Sequence, residues 1–307
     1  MLTAAALMQP KFLVLGAFLG SAAYVHFRGD VRHRFGRQLT DHSTFLAPFN
    51  VLIYLFSRVP ARPYLEPRDF PELGRLTANW QAIRDEGLRL LDEGFVRAAT
   101  GYNDLGFNSF FRTGWKRFYL KWYGDALPSA EQLCPETVAL LRATPTVHGA
   151  MFAVLPPGGR LVKHRDPFGG SLRYHLGLRT PNNDDCYIEV DGKRQGWRDG
   201  EAMIFDETYI HHAENKTDVT RLILFCDVER PLRGRIPTAI NHFVMHRMMR
   251  ATATQNRPGE RVGVANRLFG AIYQVRLVGK RIKKWNRRVY YTGKYALVGG
   301  VLAWLLV

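Results

Sequence analysis

Between residues 147 and 228 the apolar positions fall in short runs broken by turn residues. Strands are expected over 148–155, 161–164, 172–178, 186–190, 201–205 and 220–228. Pro156-Pro157-Gly158-Gly159, Pro181-Asn182-Asn183, Asp191-Gly192 and Asp199-Gly200 supply the turns between them. Many short strands at this spacing predict a sandwich or small barrel such as a jelly roll. Upstream the period changes. Over 72–98, Leu76, Trp80, Ile83, Leu88, Leu91 and Phe95 recur mostly at three- and four-residue steps, which predicts a helix. A second helix is expected over 135–143, opened by Pro135 in its first turn. The Pro-rich stretch 62–71 reads as a linker, and beyond Pro237 the pattern becomes helical again. No internal repeat or low-complexity tract interrupts the series.

Both ends are apolar. Residues 12–27 (FLVLGAFLGSAAYVHF) form a run slightly short for a bilayer span. Arg28, Arg32, Arg34 and Arg37 follow it, whereas a secretory signal places its charge before the apolar stretch. Positive charge on that side puts the residues after 28 in the cytosol. A second run, 45–59, is broken by Pro48 and suits a re-entrant, interfacial or core element. The last 13 residues are uncharged, follow Arg287, Arg288 and Lys294, and are too few to cross a ~30 Å core alone, though they could extend a helix beginning near Tyr290. Three regions result: a membrane-associated segment over 1–61, a catalytic domain over 62–232, and a basic helical region with an apolar end over 233–307.

The chain's 307 residues suffice for a sizeable core. Cys134, Cys186 and Cys226 show neither zinc-type nor disulfide-type spacing and are expected as reduced thiols. The net charge of +16 is concentrated: residues 230–294 hold 16 Lys/Arg against one acidic residue, Glu260. Such a block calls for an anionic partner. Between apolar ends, a membrane surface is expected rather than nucleic acid, with Trp285, Tyr290, Tyr291 and Trp304 as interfacial anchors.

The candidate chemistry lies among the strands. His164 and Asp166, two apart on extended backbone, face the same way, and a distant His211 would complete a two-histidine, one-carboxylate set for iron. Alone, a His-x-Asp pair is also what an exposed strand end looks like. His211 and His212 are adjacent and would face opposite sides, so only one serves. Arg221, ten residues on, opens the apolar run LILFC, where a guanidinium is costly unless paired. Arg173 and His175 alternate with Leu172, Tyr174 and Leu176, placing polar groups on one face of a strand.

The stretches HRDPFGGSLRYHLGL, WRDGEAMIFDETYIHHAEN and TRLILFCDVERPL, with the upstream LCPETVALLRATP, resemble the aspartyl/asparaginyl β-hydroxylase family of iron(II)- and 2-oxoglutarate-dependent dioxygenases, roughly over residues 114–232. The resemblance implies a mixed α+β fold around a double-stranded β-helix, the cupin-like jelly roll, with flanking helices and membrane-associated ends. It implies that His164, Asp166 and His211 hold Fe(II), that Arg221 binds the distal carboxylate of 2-oxoglutarate, and that Arg173 and His175 contact its metal-chelating end, with O2 as the other co-substrate. Asp166 departs from family members that lack a carboxylate there, and Ala153 stands where a family serine assists the distal carboxylate. The apolar ends and basic tail are similar to the branch acting on lipid A. That likeness implies hydroxylation at C2 of a secondary acyl chain, at the cytoplasmic face of a bacterial inner membrane. The alternative is hydroxylation of Asp or Asn side chains in a protein.

Overall fold

The computed structural model describes residues 9–99 and 104–306, with the backbone alone at 301, 302 and 304–306. The side chain of Trp304, expected as an interfacial anchor, lies outside the described residues. Among the described residues, ten strands build two antiparallel sheets. The larger has the order β1-β8-β5-β10-β3-β2: Tyr64–Leu65, Ala202–Phe205, Ser171–Arg179, Arg221–Glu229, Val147–Leu155 and Lys116–Trp122. The smaller has the order β4-β9-β6-β7: Arg160–His164, His211–Asn215, Cys186–Val190 and Lys193–Gly196. Side chains from both sheets line one cavity between them, as in a jelly roll.

The larger sheet is buried on both faces. On β10, Arg221, Ile223 and Phe225 point into the cavity. Leu222, Leu224 and Cys226 point the other way and are equally buried. Helix Trp80–Asp92 covers that outer face, lying so close at Gly87 that a Cβ there would meet Phe152 at 3.0 Å and Leu222 at 3.2 Å. Double burial explains why this strand reads as a continuous apolar run rather than an alternation.

Six expected strands form, each within a residue or two of its predicted bounds. Four more were not anticipated. β9 is polar in sequence (HHAEN) because the smaller sheet is covered on one side only: His211 and Ala213 face in, His212 and Glu214 out. The Asp191-Gly192 turn closes the β6–β7 hairpin, with φ of 51° and 81° at its two positions, as a two-residue hairpin turn demands.

Three expectations are corrected. The 62–71 stretch is more than a linker, because Tyr64 and Leu65 pair with Phe205 and Ile204 as an edge strand, the place in a sheet where flanking prolines do least harm. Pro48 does not break the second apolar run; it lies in the first turn of helix Ala47–Phe56, where its missing N–H costs nothing. The single helix expected over 72–98 is two, Gly74–Ala78 and Trp80–Asp92, ended by Gly94 in the left-handed conformation. The three cysteines are buried free thiols.

Helix Pro10–Phe27 is long and apolar enough to cross a membrane, and only 6% of its span is buried against the protein. Its C-terminal end is fastened to the core. Arg28 lies between the rings of Tyr54 and Tyr209 (4.0 and 4.2 Å to their centroids) and pairs with Asp206 at 2.6 Å. Arg230 meets the same carboxylate at 2.8 Å. Arg28, the first of the four arginines after the apolar run, is therefore paired inside the core.

Burial disfavours ionised Asp206, but Arg230 and Arg28 outweigh it and hold its pKa far below the usual carboxylate range. The resulting stabilisation is complete above the unfolded-state pKa of about 3.9 and is lost as pH falls below it. Replacing Asp206 by Asn should destabilise the fold by about 3–5 kcal/mol at neutral pH by stranding two buried guanidiniums. Thermal unfolding in detergent would show a lower transition for Asp206→Asn at pH 7 and a narrower gap on acidification; equal transitions at pH 7 would refute the role.

Candidate metal centre and its cavity

His164 ends β4, His211 opens β9, and the two are register partners across that strand pair. Directly opposed residues of antiparallel strands project to the same face. Their ring centroids are 4.2 Å apart. Nδ1 of His164 lies 2.7 Å from the Val162 carbonyl and Nδ1 of His211 lies 2.9 Å from that of Tyr209. A carbonyl only accepts, so Nδ1 carries the proton in each ring and Nε2 is left with its lone pair. Asp166 is held by its own N–H, which donates to the Glu207 carbonyl at 2.9 Å. Its Oδ1 stands 3.7 Å from Nε2 of His164. One ligand atom from each of His164, Asp166 and His211 lies within 4.8 Å of the others.

The protonation states suit a divalent transition metal. Burial, with the neighbouring His164, pushes His211 down to about 3, and burial also lowers His164. Both are neutral imidazoles near pH 7. Asp166 is held at about 2: burial works against ionisation, but Arg173 and the two histidines prevail. Two imidazoles and a carboxylate with open positions form the donor set of non-haem iron(II) sites.

Arg173 sets the carboxylate. Its Nη2 bonds Asp166 at 2.7 Å and also meets Glu207, its Nε is 3.0 Å from Asp227, and its guanidinium lies 3.8 Å over the Phe225 ring. Three acids thus already share the charge of Arg173. Burial and the like charges of Asp227 and Asp166 drive Glu207 well above the usual glutamate range despite Arg173. Ser171 donates to Glu207 at 2.7 Å, and Tyr123 donates to Asp227 at 3.0 Å.

The far end of the cavity differs. Arg221 is 2% exposed, stacks 4.3 Å from the Trp197 ring, and has no carboxylate partner among the described residues. Burial lowers its pKa to about 10. Beside it, Trp197 Nε1 donates to His175 Nδ1 at 3.3 Å. The proton of this neutral ring is then on Nε2, a buried donor without a partner among the described residues. Burial, with Arg173 and Arg221 nearby, keeps His175 well below the usual histidine range. Two unmet donors in one cavity make a receptor for an anion. Ala153 lines the same space and offers only a methyl group.

All six expected residues thus line one cavity. His212 faces outward, 3.7 Å from Glu189. Five participants were not singled out from the sequence: Trp197, Glu207, Asp227, Phe107 and Phe110. Glu207 and Asp227 carry a readable signal, since each is an acid within or beside an apolar strand. The phenylalanines carry none, because they come from a turn and the short 3-10 helix Phe110–Thr113 and meet the site only in three dimensions. The ring centroid of Phe110 is 4.8 Å from that of His164.

The family model for aspartyl/asparaginyl beta-hydroxylases matches residues 77–231, half of the chain. The chain belongs to this family. The match begins well upstream of residue 114, taking in the helices that cover the larger sheet. An ornithine lipid ester-linked acyl 2-hydroxylase of Rhizobium tropici is 43% identical over 185 residues, spanning 58% of this chain and 64% of that protein. The human aspartyl/asparaginyl beta-hydroxylase is 28% identical over 190 residues, spanning 58% of this chain but 24% of that protein. The matched region therefore covers less than two thirds of either relative. Among solved structures, a Pseudomonas putida prolyl-4-hydroxylase is similar with a TM-score of 0.36 and 18% identity, covering 50% of this chain and 88% of that one.

For this family member, His211→Ala should abolish stoichiometric binding of Co(II), a spectroscopic stand-in for iron. Arg173→Met should weaken it about 10–100-fold by releasing Asp166 from its support. Metal titration followed by visible absorption checks both, and parental affinity in His211→Ala would dismiss the centre.

Proposed function

We propose that this chain is an iron(II)- and 2-oxoglutarate-dependent dioxygenase that hydroxylates C2 of a membrane-lipid acyl chain, with lipid A as the substrate its charge favours. The observation that carries the reading is the pairing, in one buried cavity, of the His164/Asp166/His211 donor set with the unpaired donors Arg221 and His175. Bound iron supplies the chemistry that a protein side chain lacks, the oxidation of an unactivated C–H bond by dioxygen. The overall change converts R–H, O2 and 2-oxoglutarate to R–OH, carbon dioxide and succinate.

The chain's own residues bind and orient. His164, Asp166 and His211 hold the metal, and Arg173 keeps Asp166 ionised and aimed. Arg221 meets the distal carboxylate of 2-oxoglutarate in a pocket dry enough to strengthen the pairing. His175 Nε2 donates toward the chelating end, steered by Trp197. Phe107, Phe110, Trp115, Leu161 and Ile188 give the remaining wall an apolar character suited to an alkyl chain.

The apolar N-terminal helix supports a membrane location, as does the basic block, whose Lys and Arg would each contribute roughly 1 kcal/mol near an anionic leaflet. Arg32, Arg34 and Arg37 after that helix favour the cytoplasmic face of the inner membrane. The relative at 43% identity is named for an ester-linked acyl chain of an ornithine lipid, which supports C2 of an acyl chain and makes ornithine lipid the second reading. An ornithine head group carries an amine beside its carboxylate and gives +15 of charge less to meet than phosphates do.

The test is incubation of the full chain with Fe(II), 2-oxoglutarate and, separately, lipid A, ornithine lipid and an Asp/Asn-containing peptide, followed by mass spectrometry. One added oxygen on a lipid A acyl chain is expected. Oxygen on ornithine lipid alone would replace the head group, and oxygen on the peptide alone would replace the substrate class. Arg221→Ala should raise the KM for 2-oxoglutarate by 100-fold or more, about 3 kcal/mol for a charge-assisted pair. An unchanged KM would place the co-substrate elsewhere.

A further inference from the structure

Helix Val264–Trp285 carries two stripes on opposite faces. Asn266, Phe269 and Tyr273 recur at three- and four-residue steps and are buried on the domain. Leu268, Ile272, Val275, Val278, Ile282 and Trp285 recur at similar steps on the other side and are exposed, Val275 by 71% and Trp285 by 78%. A helix packed on a globular domain needs one apolar stripe and turns its polar side to water. Here the outward side is apolar. At 100° per residue, Arg267 and Arg281 flank the exposed stripe on one side and Arg276 and Lys283 on the other. The helix has six Lys/Arg and no Asp/Glu. An apolar face bordered by cations is the pattern of a helix lying in the plane of an anionic leaflet, with basic side chains reaching up to the head groups. A second copy of the chain would bring the same cations face to face. Helix Arg235–Val244 exposes Ile236, Ile240 and Phe243 as well.

The buried face holds the segment that walls the cavity. Asn266 Oδ1 accepts from the Leu105 N–H at 2.6 Å, while its Nδ2 donates to the Ala253 carbonyl at 2.9 Å. Arg112 donates to the Tyr273 hydroxyl. Leu105 and Arg112 bracket Phe107 and Phe110, the two rings that wall the cavity beside His164.

We propose that Val264–Trp285 lies on an anionic leaflet through its Leu268–Trp285 stripe and, by its opposite face, holds Phe107 and Phe110 where an acyl chain from that leaflet meets the metal ligands. The leaflet contact stands independently of the chemistry; the acyl-chain clause rests on the proposed function.

The full chain is reconstituted into phosphatidylcholine vesicles with or without phosphatidylglycerol, and a polarity-sensitive fluorophore is attached at Ile272→Cys or at Gln274→Cys on the flank. In the anionic vesicles the Ile272→Cys label is expected to be quenched by acyl-chain spin labels about threefold more than the Gln274→Cys label, with iodide showing the reverse order and neutral vesicles a weaker contrast. Equal accessibility at the two positions would overturn the leaflet contact. So would protection of Ile272→Cys in lipid-free detergent that grows with protein concentration, which assigns the stripe to a second copy. The double variant Leu268→Glu/Ile272→Glu is expected to raise the KM for the lipid substrate about tenfold, with 2-oxoglutarate KM and metal affinity unchanged, because the N-terminal helix still anchors the chain. An unchanged lipid KM would overturn the coupling to Phe107 and Phe110 while leaving the quenching result intact. Absence of turnover on any lipid in the parent would sink the acyl-hydroxylase reading, and the quenching contrast would still decide the leaflet contact.

Discussion

One guanidinium, Arg173, sits among three carboxylates, two of them fully buried, and the candidate metal centre depends on how that charge is shared. Three acids cannot all ionise around one base in a dry interior. The structure resolves the conflict unequally. Asp166, facing two imidazoles as well as Arg173, stays ionised, whereas Glu207 is driven toward its neutral form by burial and by the other two acids. The carboxylate needed as a ligand is the one that keeps its charge. The same contact fixes its direction, so Asp166 does not rely on a metal to be oriented.

A second buried network links this centre to the N-terminal segment. Asp206 holds Arg28 just past the apolar helix and Arg230 just past β10. The residues of the ligand turn are gripped from the same side. Arg165, between His164 and Asp166, donates to the Val25 carbonyl at 2.7 Å in the last turn of that helix. Asn50 of helix Ala47–Phe56 donates to the Pro167 carbonyl and accepts from the Gly169 N–H, both at 2.8 Å. A segment that reads in sequence as a separate anchor is in this way part of the wall behind the metal ligands. The position of the apolar N-terminal helix relative to the candidate ligands is then set by hydrogen bonds rather than by a flexible linker.

The two ends of the cavity are built on opposite electrostatic rules. Around Arg173 three acids surround one cation, which gives a rigid support. Around Arg221 the cation has an aromatic face and no acid among the described residues, which leaves the site incomplete without an anion. A buried unpaired guanidinium lowers the stability of a fold unless a ligand supplies its counter-charge. That cost is a physical reason to read the Arg221 end as a binding site rather than as structure.

The sequence by itself determined the strand series, the turns between strands, the apolar ends, the concentration of charge, and the six cavity residues. These are local properties: alternation and turn chemistry place each side chain on a face, and spacing within a strand fixes which residues share it. It did not reveal that β10 is covered on both sides, that 62–71 contributes an edge strand, or that HHAEN pairs as β9, because those depend on what packs against the strand. Only the tertiary structure decided that Arg173 belongs to Asp166, Glu207 and Asp227 while Arg221 stays unpaired. The two arginines look alike along the chain, each within an apolar strand, and their different roles come from acids and rings brought in by distant segments. Charge pairing in a buried site is a sum over neighbours in space, and sequence spacing does not carry that sum.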